Sequence, residues 1–218
     1  LDGYTIRYRV HLQDIGWQNW VSSNQIAGVI GKGLKIEAIQ IEIIPKDIQD
    51  TENKDDTENI TIKSGIDVSH HQGTIDWSKV KQDGIDFAII RAGYRGWGIS
   101  ADGTNGKLVK DSKFDYNATN AIKNNIPIGA YFFSQAVNEK EAIEEAYFMT
   151  SIIKNYKITY PVIIDVEYSG APNNTGRADN ISKEMRTKIC DAFLKVIKNA
   201  GYTPMIYADK YFATSNLD

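Results

Sequence analysis

The stretch Pro161-Val162-Ile163-Ile164-Asp165-Val166-Glu167 sets two carboxylates two residues apart behind an apolar run. On an extended chain, side chains two apart share a face, with Cα atoms about 6.5–7 Å apart. The apolar lead-in predicts a buried strand, so both groups meet at its end. Two carboxylates forced together there repel, and one holds its proton more tightly, as a general acid must. Four other apolar runs end in polar groups. They finish at Asp67-Val68-Ser69-His70-His71-Gln72, at Arg91-Ala92-Gly93-Tyr94, at Tyr131-Phe132-Phe133-Ser134 and at Tyr207-Ala208-Asp209. Asp67 adds a third carboxylate. Arg91 adds a cation able to pair with Asp67 or Asp165. Tyr131, Phe133 and Tyr207 add rings that fill an interior or stack on a sugar. The plainer readings are a solvated acidic strand end, and Asp67 as a turn former or helix cap. The polar ends of the other four runs weigh against them. His70-His71 has no second cluster such as H-E-x-x-H beside it, so no metal site is expected. Cys190 reads as a buried thiol.

The elements that position these residues alternate. Strand-like runs occur at 62–69, 87–92, 126–134, 160–166 and 203–208. Helical patterns lie between them. Residues 138–157 carry Ala142, Ala146, Met149, Ile152, Ile153 and Tyr156 on one face, with Asn138 as N-cap and Glu141 three residues on. Residues 182–200 carry Ile189, Phe193, Val196, Ile197 and Ala200, opened by Ser182 and stopped by Gly201. Shorter helices fit 76–83, ended by Gly84, and 112–124. Buried strands alternating with amphipathic helices predict an α/β fold with a parallel sheet, whose chemistry lies at the C-terminal ends of the strands. No G-x-G-x-x-G follows the first strand and no Walker-type loop occurs, which removes the main support for dinucleotide and P-loop readings. Gly93 to Gly98 reads as a loop with glycines in it.

Composition bounds the partners. The 218 residues are 42% apolar and 24% charged, as in ordinary globular proteins. Twenty-five basic against 28 acidic side chains leave a net charge of −3, with no basic excess for nucleic acid. No apolar run reaches 18 residues, so no membrane span is expected. One cysteine excludes a disulfide framework. The chain opens at Leu1 rather than Met and is read as a mature form or fragment. Residues 46–58 are mostly charged, with Ile48 the one apolar side chain, which predicts a linker over 46–60. It separates a β module, 1–45, from a larger unit, 61–218. In the small module Tyr4–Val10 alternates with period two and Ile36–Ile43 does so imperfectly, around Gly16-Trp17-Gln18-Asn19-Trp20. Two strands and a Trp-bearing crossing make a poor core in 45 residues, as in one unit of a stacked repeat. Tyr8-Arg9-Val10-His11, Gln13–Val21, Gln25–Gly28 and Gly31–Ile39 resemble the ChW repeat of clostridial surface proteins. That resemblance implies a cell-surface setting, with Trp17 and Trp20 either anchoring the module to the wall or a neighbouring repeat, or forming its core.

The larger unit resembles glycoside hydrolase family 25, the N-acetylmuramidases of bacteria and phages. Gly65-Ile66-Asp67-Val68-Ser69 with Gln72-Gly73 and Ile75-Asp76-Trp77, Phe87–Ala92, Pro127–Tyr131 with Phe133, and Pro161–Glu167 carry the likeness, in order. It implies an irregular (β/α) barrel of TIM type that cuts the β-1,4 bond from N-acetylmuramic acid to N-acetylglucosamine in peptidoglycan, without metal or cofactor, in a secreted or cell-wall setting. It implies Glu167 as catalytic acid, Asp165 and Asp67 as its carboxylate partners, and Arg91, Tyr131 and Tyr207 in the sugar-binding wall, where the ring of Phe133 is also expected. The chain ends just after the fifth strand, so the barrel is expected to lack its last strands. Two carboxylates on one strand approach a sugar from one side, which suits a substrate-assisted route better than groups flanking the bond. A chitinase-like endo-N-acetylglucosaminidase uses a similar D-x-E but usually has an Asp where this chain has Ile163. A non-catalytic wall-binding protein is the other alternative.

Overall fold

The computed structural model describes residues 4–22, 25–29, 35–45, 63–98 and 106–217. The expected linker, 46–60, lies outside them. The chain divides into two compact units, Leu1–Gly65 and Ile66–Asp218.

In the first unit β1 (Tyr4–Leu12) pairs antiparallel with β4 (Ile36–Pro45) on one side. On its other side it pairs with two short strands, β2 (Gly16–Trp17) and β3 (Val21–Ser22). Hydrophobic alternation predicts that the isoleucines of β4 face inward. Instead Ile39 and Ile41 are exposed, while Gln40 and Glu42, which alternate with them, are buried. The reason lies across the ladder. Arg7 stands opposite Glu42 and Arg9 opposite Gln40, and each Arg Nε donates to that partner. The indoles then cover the guanidinium groups. Arg7 and Arg9 lie 5.0 and 4.7 Å from the Trp20 ring centre, and Arg9 lies 5.0 Å from that of Trp17. Cation–π contacts, the Arg7–Glu42 ion pair and the Arg9–Gln40 hydrogen bond thus close the face that polarity alone would leave open.

The second unit is an α/β layer. Its sheet runs in the order β10 (Pro204–Tyr207), β9 (Ile158–Asp165), β8 (Ile128–Phe133), β6 (Phe87–Arg95), β5 (Gly65–Val68). The β6–β8, β8–β9 and β9–β10 pairs are parallel. A short strand the sequence reading missed, β7 (Leu108–Lys110), pairs antiparallel with the end of β6. Helices α1 (Trp77–Gln82), α2 (Phe114–Lys123), α3 (Glu139–Ile153) and α4 (Lys183–Asn199) alternate with the strands, and α5 (Lys210–Asn216) follows β10. The caps work as the sequence predicts: Asn138 accepts from Glu141 N, Ser182 accepts from Met185 N, and Gly201 has positive φ.

Alternate residues of β5, β6, β8 and β9 make one core with the helices. Ala88, Ile90, Ala130, Phe132, Val162 and Ile164 pack with Phe114, Ala118, Met149, Ile153, Phe193 and Ile197. A consecutive strand order with right-handed crossovers puts the helices on a single face, and this single core is that face. The other face is left to the intervening residues. Gly129 sits there because a Cβ would lie 2.4 Å from the Pro161 carbonyl oxygen. Cys190 is buried, and burial lifts its thiol to about 12.

Candidate active site

The free face and the C-terminal strand ends carry the candidate residues in rows. Register sets Tyr207, Asp165, Phe133 and Tyr94 side by side across β10, β9, β8 and β6. One step below, Met205, Ile163, Tyr131 and Arg91 form a second row. Neighbouring strands lie about 4.8 Å apart, so each row is a continuous strip of side chains. Val166 N donates to Tyr207 O at 3.0 Å, which carries the ladder one residue past β9 and brings Glu167 to the same edge.

Electrostatics tie the carboxylates together. Asp165 is 6% exposed, and burial raises its pKa, followed by the charge of Glu167 and then that of Asp67, with Arg91 opposing. Burial also raises Glu167, aided by the charges of Asp209 and Asp67, while a hydrogen bond from Asp165 works the other way. Asp67 keeps an exposed surface, yet partial loss of water raises it too. The two neighbours titrate as a unit. Asp165 is the more deeply buried of the two, so the charged form is disfavoured most on its carboxyl. One oxygen of Asp165, Oδ1, is enclosed with no hydrogen-bond partner among the described residues. Tyr131 and Tyr207 feel the same charges: burial raises Tyr131, while Tyr207, still half exposed, is raised by partial loss of water and then by the carboxylates.

Arg91 stands where the sequence places it but with a different partner. Its Nε donates to Asp111 Oδ2 at 2.8 Å, and its Nη2 meets Nδ1 of His70. Asp111 is buried and also accepts from the backbone of His70 at 3.1 Å and of Lys113 at 2.9 Å. Neither Asp67 nor Asp165 forms the ion pair expected for Arg91. His70 joins this cluster, while His71 stays exposed beside it with ring centres 4.1 Å apart.

Sequence reasoning placed Tyr94 and Asp209 at strand ends without giving them a role, and missed Trp97 and Asp111 as site residues. Tyr94 reaches the free face because the β6–β8 register slips between Arg91 and Gly93, so Arg91 and Tyr94 both align with free-face residues of β8, Tyr131 and Phe133. Such a bulge re-aims the side chains beyond it. Gly93 permits it, since a Cβ there would lie 2.5 Å from the Val109 carbonyl oxygen. Trp97, which the sequence assigns to a mere glycine loop, stands edge-on to Tyr94 and Phe133 at 5.8 Å each. It is 37% exposed. An aromatic wall therefore borders the carboxylates on the β6–β8 side. Asp209 caps α5 by accepting from Phe212 N at 2.8 Å and lends its charge to Glu167.

A concavity of about 260 Å³ lies elsewhere, between Thr74–Ser78 and Tyr116, Asn120 and Asn124. Its polar groups are bonded within the protein: Asp76 to Ser78, Thr74 to Lys113, and Tyr116 to the Ile75 carbonyl. It holds none of the carboxylates above, and the strand-end face remains the candidate.

The family model described as Glycosyl hydrolases family 25 matches residues 66–218, and that described as Clostridial hydrophobic W matches residues 11–45. Lysozyme M1 of Streptomyces globisporus is 35% identical over 129 residues, covering 58% of this chain and 40% of that protein. The uncharacterized protein YegX of Escherichia coli K12 is 30% identical over 159 residues, 70% of this chain and 50% of its own length. The chain thus spans 40–50% of the length of these curated relatives. Among solved structures, the modular autolysin LytC of Streptococcus pneumoniae, in complex with a synthetic peptidoglycan ligand, has a TM-score of 0.60 at 27% identity. The match covers 70% of this chain and 34% of LytC. The lysozyme of Streptomyces coelicolor has a TM-score of 0.52 at 28% identity, over 70% of this chain and 65% of its own.

Proposed function

Because the chain belongs to glycosyl hydrolases family 25, we propose that its strand-end carboxylates cleave the β-1,4 bond between N-acetylmuramic acid and N-acetylglucosamine in bacterial cell walls. The observation that carries the reading is the Asp165–Glu167 pair at the end of β9, both raised by burial and by the negative charges gathered around them. The bacterial lysozymes and the peptidoglycan-bound autolysin among the relatives support the substrate class.

Glu167 protonates the leaving glycosidic oxygen. The substrate's own 2-acetamido oxygen attacks the anomeric carbon from the opposite side. Asp165 accepts the acetamide N–H and so orients the group for attack. That new bond favours the Asp165 anion, so the proton of the pair passes to Glu167 as substrate arrives. Asp165, with Asp67, then stabilises the positive charge that develops on the acetamide. Water opens the cyclic intermediate, with Glu167 as base. Tyr131 and Tyr207 border the reacting sugar, Phe133 and Trp97 hold a neighbouring ring, and Arg91 tempers the negative charge of the site.

We take the sheet as an arc of a TIM-type (β/α) barrel, on the strength of its consecutive strand order and one-sided helices. The N-terminal module is taken as a wall or repeat contact, tethered through 46–60, in a secreted or wall-bound protein. Glu167→Gln tests the reading. The variant should stay folded and lose most clearing of bacterial walls, with reducing ends at muramic acid vanishing from the products. Wall lysis close to that of the parent would refute it.

A further inference from the structure

Of the four glutamates on α3, Glu145 alone has no exposed surface. It projects into the packing between α3 and the sheet beside Ala142, Ala146 and Met149, where a carboxylate is costly to bury unless fully bonded. Both of its oxygens are engaged. Oε1 accepts from Arg95 Nε at 2.8 Å and from Gln135 N at 3.3 Å. Oε2 accepts from the Ser134 hydroxyl at 2.6 Å. Arg95 alone would neutralise the charge. The two further bonds fix the residues that leave β8.

Those residues touch the backbone of the catalytic pair. Ser134 N donates to the Asp165 carbonyl at 2.9 Å. Gln135 Nε2 reaches the Glu167 carbonyl at 3.5 Å. The backbone carbonyl of Gln135 is held in turn by Arg177 Nη1 at 2.7 Å. One enclosed carboxylate on the helix face thus governs the loop against which both acids on the other face are registered.

We propose that Glu145 is a positioning residue for the hydrolysis, setting through Ser134 and Gln135 where Asp165 and Glu167 stand, without touching substrate. The inference rests on the assignment of that pair as catalytic. Hydrogen-bonded placement of this kind matters because a shift of about 1 Å at a reacting group costs about 100-fold in rate.

The test uses Glu145→Gln and Ser134→Ala in the full chain, with Glu167→Gln as reference, assayed on soluble peptidoglycan fragments. Both positioning variants should fold, keep KM within about 2-fold and lose about 10- to 100-fold in kcat. The limbs of their pH–kcat profile, which report the Asp165–Glu167 pair, should shift. If folded Ser134→Ala and Glu145→Gln keep the parent kcat and pH limbs while Glu167→Gln is dead, the positioning role is wrong and the catalytic assignment stands. If Glu167→Gln remains active, the catalytic assignment fails and this inference with it. Should Glu145→Gln not fold, Ser134→Ala decides alone, since it removes one hydroxyl and leaves the buried ion pair with Arg95.

Discussion

Asp165→Asn separates the catalytic from the electrostatic part of the site. The substitution keeps shape and one hydrogen-bond donor toward Glu167 but cannot ionise. In the parent, Asp165 has a folded pKa above its ordinary 3.8, mainly through burial and then through Glu167. A carboxyl raised in this way contributes fully to stability below about pH 4. It loses that contribution as the pH climbs through the folded value. Each unit by which the pair is raised is worth about 1.4 kcal/mol. In a chain of this size that is about 3–6 °C in melting temperature. The variant therefore melts close to the parent at pH 4 and increasingly above it toward pH 8. Over the same range it loses about 100- to 1000-fold in kcat, the cost of removing one oriented charge from a developing cation. The assay is thermal unfolding of the larger unit at pH 4, 6 and 8, beside single-turnover cleavage of a soluble glycan. A stability difference that does not grow with pH would refute the electrostatic argument. Cleavage within a few-fold of the parent would refute the catalytic one.

Other outcomes follow from the same contacts. Asp111→Ala leaves the buried guanidinium of Arg91 without its acceptor, at about 3–5 kcal/mol, or about 6–20 °C of melting temperature; a change under about 2 °C would contradict the ion-pair role. Trp97→Ala removes the edge contacts to Tyr94 and Phe133 and should raise KM for glycan about 2- to 10-fold at constant kcat, in keeping with ~0.5–1.5 kcal/mol for an aromatic contact. An unchanged KM would remove Trp97 from the sugar wall. In the small module Trp20→Ala exposes two guanidinium groups and should unfold it, whereas Trp17→Ala, at a ring already 40% exposed, should leave it folded and weaken sedimentation with purified walls. Circular dichroism and sedimentation of the two variants check both halves, and identical behaviour would count against the distinction.

The local rules of the chain were enough to mark the main strands and helices of the larger unit, though not β7 or α5, and the edge that carries its acids. Period-two runs, N-caps at Asn138 and Ser182, and the stop at Gly201 depend on neighbours within a few residues, so they are legible in one dimension. Asp165 and Glu167 are marked by the apolar run before them, and Asp67 and Arg91 by the same logic on other strands. What required the tertiary structure was pairing across distance. Arg91 belongs to Asp111, twenty residues on, because β7 and the start of α2 fold back over the end of β6. Tyr94 and Trp97 join the wall because a bulge at Ala92 breaks the alternation that sequence reading assumes. Glu145 looks like a surface glutamate on an amphipathic helix, and only the approach of Arg95 and Ser134 makes its burial affordable. On β4 the polarity pattern pointed the wrong way, since two indoles brought in from the β2–β3 crossing decide which face is covered. Periodicity reports what a residue prefers when water is the alternative; it is silent where a charged partner from another strand replaces the water.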